Sequence, residues 1–165
     1  VEFVPAPAGE EVAVADNQVD RLLDEGWQPQ DVALLTMGAR HPVQRERQES
    51  LGFAAYWEEF WSNEDVFYGH VLGFKGMERR AVVLCLNEDG TRDRSRERLY
   101  VGLSRATDRL VVVGDPAVVQ RIGGREVWDR LRPAGSVKIW RHRRASLPSR
   151  AGLRPCQSPG HAGCA

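Results

Sequence analysis

The residues best suited to chemistry lie in two runs, Gly73-Phe74-Lys75-Gly76-Met77-Glu78 and Arg98-Leu99-Tyr100-Val101-Gly102-Leu103-Ser104-Arg105-Ala106. An apolar stretch, Ala81 to Leu86, separates them. Arginine stays charged and offers a planar fork of donors, which matches the oxygens of a phosphoryl group. A positioned arginine supplied across a cleft stabilises the charge on a phosphoryl group in transfer and couples that transfer to closure of the cleft. Gly76 permits a tight turn and a close backbone approach. The chain has no Gly-x-x-x-x-Gly-Lys-Ser/Thr run, so it has no phosphate cradle of its own.

The elements that must position these runs are legible from apolar periodicity. Ala15, Val19, Leu22 and Leu23 recur at helical spacing, and Gly26 and Pro29 end that helix. Val32 to Thr36, Val66 to Val71, Ala81 to Leu86 and Leu110 to Val113 read as strands. A helix is expected from Pro42 or Val43 to about Trp61, another from Arg96 to about Thr107, and a last one from Pro116, interrupted at Gly123-Gly124. Solid apolar strands alternating with helices imply an α/β fold with a mainly parallel sheet covered on both faces. Ligands on such sheets bind at the carboxyl ends of the strands, so loops 37–42, 72–78 and 87–95 are the candidates for that edge. Phe53, Tyr56, Trp57, Phe60 and Trp61 form one aromatic face. That stripe is what a helix covering a sheet needs; the alternative is a platform for stacked bases of single-stranded DNA.

Order, spacing and intervening strand resemble the last two signature motifs of UvrD/Rep-type superfamily 1 DNA helicases, written roughly K-G-L-E and R-L-x-Y-V-x-x-S/T-R-A. The likeness covers about residues 15–120 and is densest over 73–113. It implies a RecA-like three-layer sandwich, the second motor domain of such a helicase, whose first domain would carry the phosphate cradle. By resemblance, Arg105 contacts the γ-phosphate of ATP and Glu78 accepts from the ribose. Gly76 belongs to the same nucleotide-binding set, Lys75 links it to DNA, and Tyr100, Gly102 and Ser104 support the motif. Arg40, in the loop after strand 32–36, is a substitute for a second phosphate-sensing arginine. The implied substrate is ATP with Mg2+, the metal's ligands being expected on the first domain. The implied partners are single-stranded DNA or DNA junctions and the preceding RecA-like domain of the same protein. The chain departs from the family where Val71 and Leu72 replace a Thr-His pair, with His70 too early to stand in for it. Two other readings are a degenerate nucleic-acid-binding module and a helicase-like ATPase that does not unwind DNA.

Leu86-Asn87-Glu88-Asp89 and Gly114-Asp115-Pro116 mimic other family motifs but stand on the wrong side of them. We read them as a strand exit and a helix N-terminus capped by Asp115. The 165 residues divide into an irregular segment 1–14, the domain 15–132, and a basic Pro/Gly-rich tail 133–165 expected to be disordered. The tail holds six of the 23 basic residues and no acid, leaving a net charge of −6 before it. It is either a solvated end or a phosphate-attracting arm. Cys156, His161 and Cys164 would give only three of the four ligands of a structural zinc site. No apolar run spans a bilayer and no signal-peptide pattern is present, so a cytoplasmic protein with no membrane partner is expected. The first residue is Val, which reads as a fragment or trimmed domain.

Overall fold

The computed structural model describes residues 1–62 and 64–132; the tail 133–165, with its three candidate zinc ligands, lies outside them. Five strands, β1 (Glu2–Pro5), β2 (Val32–Thr36), β3 (Phe67–His70), β4 (Arg79–Cys85) and β5 (Ala106–Gly114), form one sheet in the order β1-β5-β4-β2-β3. All four neighbouring pairs are parallel. Five helices, α1 (Glu11–Asp24), α2 (Pro42–Leu51), α3 (Phe53–Ser62), α4 (Ser95–Leu103) and α5 (Pro116–Leu131), connect or follow the strands.

Alternate residues of each strand point to opposite faces, and the two faces have separate cores. Ala33, Leu35, Val82, Leu84, Leu110 and Val112 pack with Tyr56 and Phe60 of α3, Leu99 of α4 and the apolar side of α5. Val32, Leu34, Ala81, Val83, Val111 and Val113 pack with Ala15, Val19 and Leu22 of α1. The architecture is therefore the expected α/β three-layer sandwich. Residues 32–36 are buried at every position because both faces are covered, which is why the strand reads as a solid apolar run.

Several boundaries differ from the sequence reading. The segment 1–14 is not irregular: Glu2 to Pro5 pair with Val111 to Gly114, and α1 begins at Glu11. Pro5 hides this strand, yet proline is tolerated on an edge strand. The single helix expected over 42–61 is two, because Gly52 adopts φ 82° and closes α2. Its aromatic face divides accordingly: Tyr56 and Phe60 are buried, whereas Phe53 and Trp61 are exposed. Helix α4 ends at Leu103, and β5 starts at Ala106, earlier than expected, because the Arg79 N–H bonds the Arg105 carbonyl at 3.1 Å and draws that residue to the sheet. The break in α5 falls at Gly124, φ 76°. Asp115 caps α5 as anticipated, accepting from the Ala117 N–H at 2.8 Å.

At the carboxyl edge the exits of β2 and β4 are clamped together. Asn87 Oδ1 accepts from the Gly38 N–H at 2.8 Å, and its Nδ2 donates to the Ala39 carbonyl at 2.9 Å. A Cβ on Gly38 would lie 2.1 Å from the Asn87 carbonyl oxygen, which is backbone and cannot swing away. Gly38→Ala is therefore expected to cost at least about 1–3 kcal/mol. A thermal melt matching the unsubstituted chain would contradict the clamp.

Candidate functional site

The two runs singled out in the sequence meet at the amino edge of the sheet. Residues 71–78 leave β3 at the carboxyl edge, place Phe74 in the core, and reach the amino edge at Arg79. Strand β4 then climbs the sheet, and α4 descends beside it to end at Leu103. Because β4 and β5 are neighbours, the start of one lies against the start of the other, with Arg79 opposite Ala106.

Arg105 joins the runs directly. Its Nη1 donates to the Met77 carbonyl at 3.1 Å, its Nε to the Val101 carbonyl at 3.0 Å, and its Nη2 to Ser104 Oγ at 2.8 Å. Ser104 in turn donates to the Val101 carbonyl at 3.0 Å. A guanidinium has five N–H groups; three are engaged among the described residues, so the fork is oriented and still holds donors for a ligand. Ser104 is thus an anchor for Arg105. Gly102 is needed because a Cβ there would meet Leu84 Cδ1 at 2.5 Å; it lets α4 lie close on β4.

Glu78 is exposed at the same edge, beside a recess of about 160 Å³ lined with Gln30, Asp31, Arg79, Arg80 and Thr107. Gly76 makes the turn with φ 86°, and Lys75 is exposed on it. The neighbouring cations are committed within the domain. Arg80 bonds Asp108 at 2.8 Å and Asp31 at 3.1 Å, while the Arg79 guanidinium lies 3.7 Å over the Phe60 ring and donates to the Phe60 carbonyl. Burial holds the Arg79 pKa below its ordinary value. Tyr100 is 46 % exposed on α4, with the Arg96 guanidinium over its ring.

Arg40 is not brought to this group. It follows β2, so it stands at the carboxyl edge, across the length of the sheet from Arg105 and Glu78. The seven residues of β4 separate the edges, ~20 Å at strand rise. Of the loops expected at the carboxyl edge, 37–41 and 87–94 are there, but the 71–78 turn delivers its Lys-Gly-Met-Glu end to the opposite edge.

Other polar groups of the carboxyl edge were given no partner in the sequence reading. Glu88, whose side chain is fully buried, faces Arg98 with Nη2 to Oε2 at 3.2 Å. Arg98 Nη2 also donates to the Asp93 carbonyl at 2.9 Å. Glu88 had been set aside as a strand exit, and nothing local marks it as buried. His70 Nε2 bonds the Met37 carbonyl at 3.1 Å, so Nδ1 accepts from the Leu72 N–H at 3.3 Å. Burial lowers the His70 pKa below its ordinary 6.5, only partly offset by the bond to Met37. The unfolded chain therefore takes up this proton more readily than the folded one. Stability from His70 is complete above pH 6.5 and is lost as the pH falls from there toward the lowered folded value. Urea midpoints are expected to drop across that window, and less so in His70→Gln; identical pH profiles for the two chains would refute the assignment.

Among the described residues no helix is long and apolar enough to cross a membrane. No protein-family model matches this chain, and no curated protein matches it. Among solved structures it is similar to the C-terminal domain of a possible DNA helicase from Lactobacillus plantarum WCFS1, at 20 % identity and a TM-score of 0.43. The match covers 69 % of this chain and 73 % of that one.

Proposed function

We propose that this chain is the second motor domain of an ATP-dependent DNA helicase of UvrD/Rep type, supplying one wall of a nucleotide cleft. The observation that carries the reading is the bond from Arg105 Nη1 to the Met77 carbonyl, which unites the two resembling motifs around one oriented guanidinium. The recess beside Glu78, about 160 Å³, is smaller than the roughly 300 Å³ that encloses even a small ligand. A nucleotide here needs a second wall, and the preceding RecA-like domain would provide it together with the phosphate cradle and the ligands for Mg2+.

In that cleft ATP with Mg2+ supplies the phosphoryl group to be transferred. Arg105 directs its remaining N–H donors at the charge that develops on that group. Ser104, Val101 and Met77 hold the fork so that little reorganisation accompanies the reaction. Glu78, exposed and anionic, is placed to accept from a sugar hydroxyl, and Gly76 lets the backbone come close. Because Arg105 closes on a ligand held by another domain, its engagement couples hydrolysis to closure and reopening of the cleft. That cycle would move single-stranded DNA past Lys75. Arg40 is left out of the nucleotide set by its place at the far edge.

The test is ATP turnover by the intact protein with Arg105→Ala, against nucleotide binding by the same variant. Loss of turnover with binding kept supports the reading.

A further inference from the structure

A groove of about 310 Å³ lies between α4 and α5, beside the last turn of each helix. Helix α4 lines it with Tyr100 and Leu103, α5 with Val127 and Leu131, and β5 with Leu110, while Val1 flanks it. The polar lining is Ser104 and Arg130, and no carboxylate takes part. Arg130 is turned to Glu126, to which it donates at 3.0 Å. Val1 is 75 % exposed and Tyr100 46 %, so the groove leaves large apolar groups in water. Apolar side chains gathered round an open groove mark a surface that a partner covers.

The size of the groove and the course of the chain say which partner. A stable pairing of two copies takes about 20–30 residues a side, and this groove offers eight. A tethered segment needs far less, because a short linker holds it at an effective concentration of about 1 mM. At that concentration a contact of only about 0.1 mM affinity is roughly nine-tenths occupied. Such a segment starts at the groove itself. Leu131 lines it and ends α5, Arg132 continues with extended backbone (φ −62°, ψ 139°), and residues 133–165 follow. Within 133–165, large apolar residues gather only at Val137, Ile139 and Trp140, and Trp140 is the one aromatic. The four residues before them, Pro133-Ala134-Gly135-Ser136, have the composition of a turn. Trp140 can stand up to ~26 Å from Arg132, whereas Val127 and Leu131 are ~6 Å apart along α5. The chain is therefore long enough to double back.

We propose that the segment Val137-Lys138-Ile139-Trp140 folds back into this groove as an internal strap, seating Trp140 and Ile139 against Tyr100, Leu103 and Val127. Aromatic and aliphatic side chains leave water together, while Lys138 and Arg141 keep their charges at the surface. The inference stands apart from the nucleotide reading and goes beyond it. It bears on the same end of α4, since Val101 and Ser104, which hold Arg105, belong to the turn that the strap would cover.

The experiment is photocrosslinking within the whole 165-residue chain, with p-benzoylphenylalanine in place of Trp140 and the adduct mapped by peptide mass. The expected adduct has the mass of one chain and joins position 140 to residues 100–103 or 127–131. Adducts confined to other parts of the domain, or none, would overturn the strap. Adducts with the mass of two chains, growing with concentration, would give the groove to the tail of a second copy and overturn the internal strap. Limited trypsin digestion gives a second measure. A segment docked nine-tenths of the time is cut about ten-fold more slowly than a free one. Tyr100→Ala leaves the cleavage sites unaltered and removes one wall of the groove. It is expected to speed cleavage after Lys138 and Arg141 by about ten-fold and to leave cleavage after Arg150 unchanged. Equal rates in the two chains would remove the groove as the docking site. Tyr100 is half-exposed, so the fold should survive its loss, and the crosslink decides the matter in the chain that keeps it.

Discussion

Arg105→Ala is expected to lower ATP turnover of the intact protein by about a thousand-fold or more, the range found when a transition-state arginine is removed. Affinity for ATP should change far less, because the phosphate cradle and metal ligands reside on the preceding domain in this reading. The substitution has a structural side as well. Arg105 holds the Met77 and Val101 carbonyls, and each such bond contributes roughly 1 kcal/mol net. Arg105→Lys separates charge from geometry: it keeps the charge but loses the fork that binds three acceptors at once. Lysine should therefore leave turnover close to the alanine level. Steady-state hydrolysis beside equilibrium nucleotide binding decides the matter. Turnover near that of the unsubstituted protein in Arg105→Ala would sink the arginine-finger role and favour the non-catalytic nucleic-acid-binding module.

Glu88→Ala should be the most destabilising of the single substitutions considered, by about 3–5 kcal/mol, since it strands a buried guanidinium. The Glu88 side chain is fully buried and that of Arg98 is 10 % exposed. They attract at 3.2 Å, yet neither carboxylate oxygen has a well-aligned hydrogen bond. The pair thus bears its desolvation cost without the directional bonds that would offset it. Replacing both partners should consequently cost much less than replacing one, and Glu88→Leu with Arg98→Leu is expected to recover most of the lost stability. Urea unfolding of the two single variants and the double variant gives the coupling directly. Additive losses would mean that the pair does not act as a unit. The pair pins the 87–95 loop to α4, the helix that carries Arg98 at one end and leads to Arg105 at the other.

The elements that the sequence discloses are those whose surroundings repeat along the chain. Strand β2 and the 81–85 stretch of β4 are covered on both faces, so nearly every residue there is apolar, and a solid run follows. Asp115 caps α5 through its own near neighbour, and the break at Gly124 comes from a residue free to take positive φ. The runs that hold Ser104 with Arg105 and Gly76 with Glu78 could likewise be singled out as candidates, because the spacing within each is local. What escaped is non-local. Strand β1 exists only because Glu2 to Pro5 find β5 more than a hundred residues later. The aromatic stripe of α3 fixed a helical face but not how much of it would meet the core; Tyr56 and Phe60 are buried, and Phe53 is left at the mouth of a pocket. Glu88 and Gln44 look like surface residues until loops and helices from elsewhere close over them.

The sequence by itself determined the layer architecture and the two runs that could serve a phosphoryl group, since apolar period and motif spacing are properties of neighbouring residues. Only the tertiary structure decided which groups share an edge. Strand order set β4 beside β5 and so brought Met77 to Arg105. The parallel direction of β2 carried Arg40 to the opposite edge, a separation that follows from chain topology and from no local pattern of residues.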